Sequence, residues 1–120
     1  MDLSIITRRL PGGVVEISPH GEIDLESAGQ LRGAVDAVFT DGEPRLIRIN
    51  LRSVTFIDSV GISALVGGYH LANVRHARFV VTEPTEFVYR QLYISGLLGL
   101  FGAPQPREAL QDHDEPEPVG

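Results

Sequence analysis

Phe56-Ile57-Asp58-Ser59-Val60-Gly61-Ile62 decides the fold. Apolar content carried by Val54, Phe56 and Ile57 runs toward a loop and stops at Asp58-Ser59. A helical spacing then takes over: Ile62, Leu65, Val66 and Tyr69 share one face of a helix running to about Val74. A strand and a loop thus deliver a serine to the start of a helix, with a small residue two positions on. Unpaired helix N–H groups point outward at that spot.

The pattern upstream is the same. Residues 46–51 read as a strand, with Ile47 and Ile49 on one face. Leu46 and Leu51 break the alternation, as expected when both faces are partly covered. Asp41-Gly42-Glu43-Pro44 stops a preceding helix near Phe39. That helix carries Leu25, Ala28, Leu31, Val35 and Val38 on one face, with Asp24 as its N-cap. Before it, residues 3–8 and 14–18 are extended runs joined by the turn Pro11-Gly12-Gly13, which predicts a hairpin.

Downstream, residues 79–81 form another strand. Pro84 opens a third helix in its first turn. Phe87, Val88, Gln91 and Leu92 carry that helix to Ser95-Gly96, and residues 97–101 close the domain as a turn or very short strand. The order is strand, strand, helix, strand, helix, strand, helix. This predicts an α/β fold: a small mixed, mostly parallel sheet with an N-terminal β-hairpin, its faces covered by flanking helices.

Size and composition bound the rest. The 120 residues suit one domain, and 42% apolar content without Trp suits one modest core. No apolar run approaches the length of a spanning helix, and the start MDLSIITRRL lacks a signal-peptide layout. Cys is absent, which removes disulfides, thiolate chemistry and Cys-based zinc sites and fits a cytoplasmic location.

All ten basic residues are Arg, a bias that a GC-rich genome explains. With a net charge of -6 and Arg8-Arg9 as the only basic doublet, neither nucleic acid nor an anionic membrane is an expected partner. Residues 103–120 carry Glu108, Asp112, Asp114, Glu115 and Glu117 against Arg107, with four prolines. They read as an acidic, Pro-rich disordered tail behind a domain of residues 1–102.

Ser59 has two readings. It is a helix N-cap, or it is a phosphorylation site whose phosphate the helix N-terminus accepts. Position alone favours the cap. A phosphate there would set roughly two negative charges beside Asp58. Asp24 starts a helix after a strand too, so both carboxylates are expected at one end of the sheet. They could hold Mg²⁺ or orient a hydroxyl, but capping is the favoured reading.

Other chemistry fails. Gly-x-Ser-x-Gly is not met at Ser59, where Ile57 stands two before, nor at Ser63, where Leu65 stands two after. His20, His70, His76 and His113 do not sit at ligand spacing, and His113 among the tail acids reads as a solvated accident. Gly67-Gly68 lies inside a helix pattern and is expected to permit close packing. No nucleophile, base and orienter set emerges, so no enzyme, metal or cofactor is expected.

Gly21-Glu22-Ile23-Asp24 followed by Phe56-Ile57-Asp58-Ser59-Val60-Gly61-Ile62 resembles the STAS family, the anti-sigma factor antagonists of bacteria. The element order over about residues 3–101 agrees, as does the exit Ile94-Ser95-Gly96-Leu97. The resemblance implies a protein that, unphosphorylated, binds an anti-sigma factor serine kinase with a histidine-kinase-like ATPase fold and so frees a sigma factor. It implies phosphorylation of Ser59 as the off-switch, and a phosphatase that resets it. It assigns Asp24, Asp58, Ser59, Val60, Gly61 and Ile62 to the switch and partner-binding surface. Val60 stands where many relatives have Ser or Thr, and it is not the modified position. A non-catalytic scaffold or adaptor subunit, of a signalling assembly or a transporter complex, is the alternative the same family allows.

Overall fold

The branched, alternating N-terminus pairs with itself. In the computed structural model, which describes residues 2–105, β1 (Leu3–Leu10) and β2 (Val14–Ile23) form an antiparallel hairpin around Gly12 and Gly13. Both glycines have positive φ, which the turn requires and a side chain would resist. The remaining elements are α1 (Ala28–Thr40), β3 (Leu46–Asn50), β4 (Val54–Ile57), α2 (Ser59–Val74), β5 (Arg78–Thr82) and α3 (Glu86–Ile94).

The sheet runs β1-β2-β3-β5, with β4 also paired to β2. All pairings except the hairpin are parallel. β2 is long enough to serve two neighbours: Val14–Ile17 pair with β3, and Gly21–Ile23 pair with β4 across an irregularity between Gly21 and Glu22. The expected mixed, mostly parallel sheet with an N-terminal hairpin is therefore present.

The period of two sorts the faces. Val15, Ile17, Ile47, Ile49, Phe79 and Val81 point one way and are buried. α1 and α2 cover this face through Leu31, Val35, Val38, Ala64 and Leu65. At Gly68, an added Cβ would lie 2.9 Å from the Phe79 ring and 3.5 Å from Val35, so the missing side chain lets α2 sit down on both. Gly67 faces open space, so only Gly68 serves the close packing expected of the pair. The opposite face carries Arg8, Glu16, Arg48 and Arg78.

Three other expectations are corrected. The apolar run at Val54, Phe56 and Ile57 was not set apart as a strand; it is β4, a strand of four residues whose burial reads in, out, out, in, so no alternation betrays it. α1 starts at Ala28 and not directly after Asp24, because residues 24–27 form a separate turn; Leu25 is consequently 74% exposed and off the apolar face. Pro84 precedes α3 instead of opening its first turn: Thr85 is the N-cap, its hydroxyl accepting from the Val88 amide at 3.4 Å. The closing segment, residues 97–101, takes the turn that was one of its two expected forms, and Phe101 is fully buried against Phe79 and Tyr69. Most of the expected tail, from residue 106 on and including His113, lies outside the described residues.

Candidate switch surface at the start of α2

β2 and β4 end side by side, and each hands the chain to an aspartate. Ile23 pairs with Ile57 in parallel register. The Asp58 amide extends that ladder by donating to Ile23 O at 3.2 Å. Asp24 and Asp58 therefore leave adjacent strands at the same end of the sheet, as expected.

Asp58 is the N-cap of α2. Its backbone is extended, and its carboxylate accepts from the Gly61 amide at 2.9 Å. Its carbonyl takes the first helical bond, from Ile62 N at 2.9 Å. Ser59 is thereby the first helical residue and not the cap. Its side chain is exposed, and its hydroxyl has no hydrogen-bond partner among the described residues. The reading of Ser59 as a cap is corrected: the neighbouring carboxylate has taken that role, which leaves the hydroxyl facing solvent at the positive end of a helix of 16 residues.

Asp24 organises the turn before α1. Its Oδ1 accepts from the Glu26 and Ser27 amides, each at 3.1 Å. The Ser27 hydroxyl accepts from Asp24 N at 3.0 Å and donates to Glu22 O at 2.6 Å. Partial burial pushes the Asp24 carboxyl up, but hydrogen bonds from the Ser27 hydroxyl and the Ser27 and Glu26 amides together hold it below the ordinary aspartate range. Asp24 thus fastens a turn and shapes the rim beside Asp58. Among the described residues no group of three or more His, Cys, Asp or Glu side chains gathers as metal ligands.

Gly61 is buried because α2 starts directly against β2. A Cβ there would stand 2.4 Å from Ile23 O and 2.7 Å from Ile57 Cγ1. Val60 and Ile62 are partly buried and pack against the core. Of the six residues assigned to the surface, then, Ser59 is the exposed one, Asp24, Asp58, Val60 and Ile62 are half-buried, and Gly61 is inside.

Sequence reading missed the aromatic pair one residue away. Phe56 on β4 and Phe87 on α3 stack with centroids 5.4 Å apart, and each is about two-fifths exposed, 39% and 41%. The signal was available: Phe56 lies between Thr55 and Ile57 on a strand with one buried face, so one of the two bulky residues had to point outward.

This fold is that of a small α/β domain, and comparison with known proteins gives its family. The STAS domain model matches residues 6–113, and the chain belongs to the STAS domain family. The anti-sigma-B factor antagonist of Listeria monocytogenes is 28% identical over 97 residues, covering 81% of this chain and 84% of that protein. The crystal structure of an anti-sigma factor antagonist from Mycobacterium paratuberculosis superposes with a TM-score of 0.75 at 28% identity, covering 95% and 96% of the two chains. The Bacillus cell fate determinant SpoIIAA, solved in its phosphorylated form, shares the fold with a TM-score of 0.66 at 20% identity, covering 93% and 100%.

Proposed function

We propose that this protein is an anti-sigma factor antagonist whose binding is switched by phosphorylation of Ser59. Unmodified, it binds an anti-sigma factor serine kinase of the histidine-kinase-like ATPase fold in the cytoplasm and frees the sigma factor. Phosphorylated, it lets go, and a phosphatase resets it. The observation that carries this reading is the free, exposed Ser59 hydroxyl at the first position of α2, beside a carboxylate already committed to capping. The 28% identity to two anti-sigma factor antagonists supports the same partner class.

The local physics supports release without unfolding. The Ser59 and Val60 amides open the helix and have no intrahelical acceptor, so they can take up a phosphate on Ser59. The modification adds roughly two negative charges on a solvent-facing residue next to Asp58. In the free domain that charge is hydrated. Under a bound partner it is desolvated and meets Asp58, so the penalty falls on the complex.

The test is affinity capture with wild type, Ser59→Ala and Ser59→Asp as baits, with intact mass of each after ATP. Capture of an ATPase-fold kinase by wild type and Ser59→Ala, its loss with Ser59→Asp, and addition of one phosphate to wild type alone is the expected pattern. A wild-type protein that its captured partner leaves unmodified overturns the switch.

A further inference from the structure

β2 changes neighbours partway along its length, and the change leaves a gap in the sheet. Residues 14–17 pair with β3 and residues 21–23 with β4, while Ser18, Pro19 and His20 pair only with β1. A cavity of about 240 Å³ opens at this gap, on the face away from α1 and α2. It has room for an ion of several heavy atoms together with water. Ligand sites in α/β sheets favour the places where neighbouring strands part. The closing segment of the domain lies elsewhere: Phe101 O accepts from Val81 N at 3.1 Å, along β5 at the other edge of the sheet.

The carboxylate and amide oxygens lining the cavity are already bonded. Glu16 is 6% exposed; its Oε1 accepts from Arg8 at 2.6 Å, and its Oε2 accepts from Arg48 at 3.2 Å and from Asn50 Nδ2 at 3.4 Å. Buried Asn50 accepts on Oδ1 from the Arg52 amide at 3.0 Å. The donors, by contrast, are in surplus. A guanidinium carries five N–H groups. Among the described residues the Arg8 guanidinium gives one hydrogen bond, and that of Arg52 gives none, its ion pair with Glu83 being 3.8 Å long. Ser18, Ser53 and His20 line the same cavity half-buried, and their side chains have no hydrogen-bond partner among the described residues.

We propose that this gap is a binding site for a small oxyanion, a phosphate or carboxylate group held between Arg8 and Arg52, with Ser18, Ser53 and His20 donating to it. Such a group is all acceptor at neutral pH and matches a cavity whose free groups are donors. The bonds among Glu16, Arg8, Arg48 and Asn50 fix the floor, and Ile6, 52% exposed at the rim, offers aliphatic contact to the carbon skeleton of an organic anion. The site does not involve Ser59 and is independent of the reading of that residue.

The test is a titration of the ¹⁵N-labelled full chain at pH 7 and constant ionic strength, with sodium phosphate or sodium succinate replacing sodium chloride. Saturable shifts of the Ser18, His20, Arg52 and Ser53 amide signals are expected, half-complete at roughly 1 mM of the better probe, with Ser59 and Gly61 unmoved. The probe that saturates first tells phosphate from carboxylate. Arg52→Gln removes a guanidinium that gives no hydrogen bond to the described protein, so the fold should stand, and it should weaken binding about tenfold by the loss of one charge-assisted bond. Ser53→Ala should weaken it by a smaller factor. Shifts that rise without saturation for both probes overturn the proposal, as do saturable shifts that Arg52→Gln and Ser53→Ala both leave unchanged. Saturable shifts centred on Ser59 and Gly61 overturn it too, because the anion then sits at the start of α2.

Discussion

The Asp58 amide is bonded to the Ile23 carbonyl at 3.2 Å, and the same carbonyl would lie 2.4 Å from a Cβ on Gly61. One oxygen at the end of β2 therefore fixes both the turn before Ser59 and the seat of α2. Gly61→Ala should destabilise the domain by about 3 kcal/mol, at the upper end of overpacking costs, because backbone and not a pliant side chain stands in the way. Urea unfolding measures it, and a change below about 0.5 kcal/mol would show that α2 does not rest on β2 as described.

Asp58 and Ser59 should separate cleanly in stability. Asp58→Ala removes a cap that holds the Gly61 amide and should cost about 1 kcal/mol. Ser59→Ala removes a hydroxyl without a partner and should change stability by less than about 0.5 kcal/mol. Equal losses in thermal melts would return Ser59 to the capping role.

Phe56 and Phe87 expose stacked rings on the strand that leads to Ser59, the proposed switch, and on α3. Truncating either to Ala should weaken binding of the anti-sigma kinase about tenfold or more, as expected of an exposed aromatic anchor in an interface. The rings are also coupled to each other: a double-mutant cycle on stability should give about 0.5 kcal/mol, the low end for aromatic pairs because both are partly in water. Isothermal titration with the single variants checks the first figure. Unchanged affinity in both would place the interface elsewhere.

Glu16 makes the fold pH-dependent. Burial raises its pKa, yet hydrogen bonds from Arg8 and Asn50 and the charges of Arg48 and Arg8 together hold it below the ordinary glutamate value of 4.5. A lowered folded-state value means that the carboxylate contributes stability above the ordinary value and loses that contribution as pH falls through its folded value. Glu16→Gln should therefore cost about 1–2 kcal/mol at pH 7, the share of Arg8 being reduced by solvent because its side chain is 60% exposed. The gap to wild type should close in acid. A gap independent of pH would mean that packing, and not charge, sets the cost.

The sequence carried the strand and helix order because burial on one face imposes a period that survives in single residues, as Ile47 and Ile49 or Ile62, Leu65 and Tyr69 illustrate. It carried Asp58 and Ser59 because a polar pair between an apolar run and a helical face has few other meanings. It did not carry β4, whose four residues bury only their ends, nor the true start of α1, because Asp24 fits a cap equally well whether the turn behind it is helical or not. Which of Asp58 and Ser59 caps α2 was likewise undecidable, since both residue types suit the position. The Phe56–Phe87 stack depends on α3 returning to β4, a contact 31 positions apart that no local pattern encodes.

The bond from Val81 to Phe101 means that the sheet ends differently on its two sides. At β5 the next place in the ladder is already occupied by the chain's own backbone. At β1 no further strand pairs among the described residues, though Gln30 Nε2 donates to Leu3 O at 3.2 Å, and the strand carries the adjacent cations Arg8 and Arg9. A second copy adding its own first strand there would set like charges against each other. The ordering of the strands thus leaves β1, among the described residues, open to pairing with another chain, and the cations on it oppose that growth.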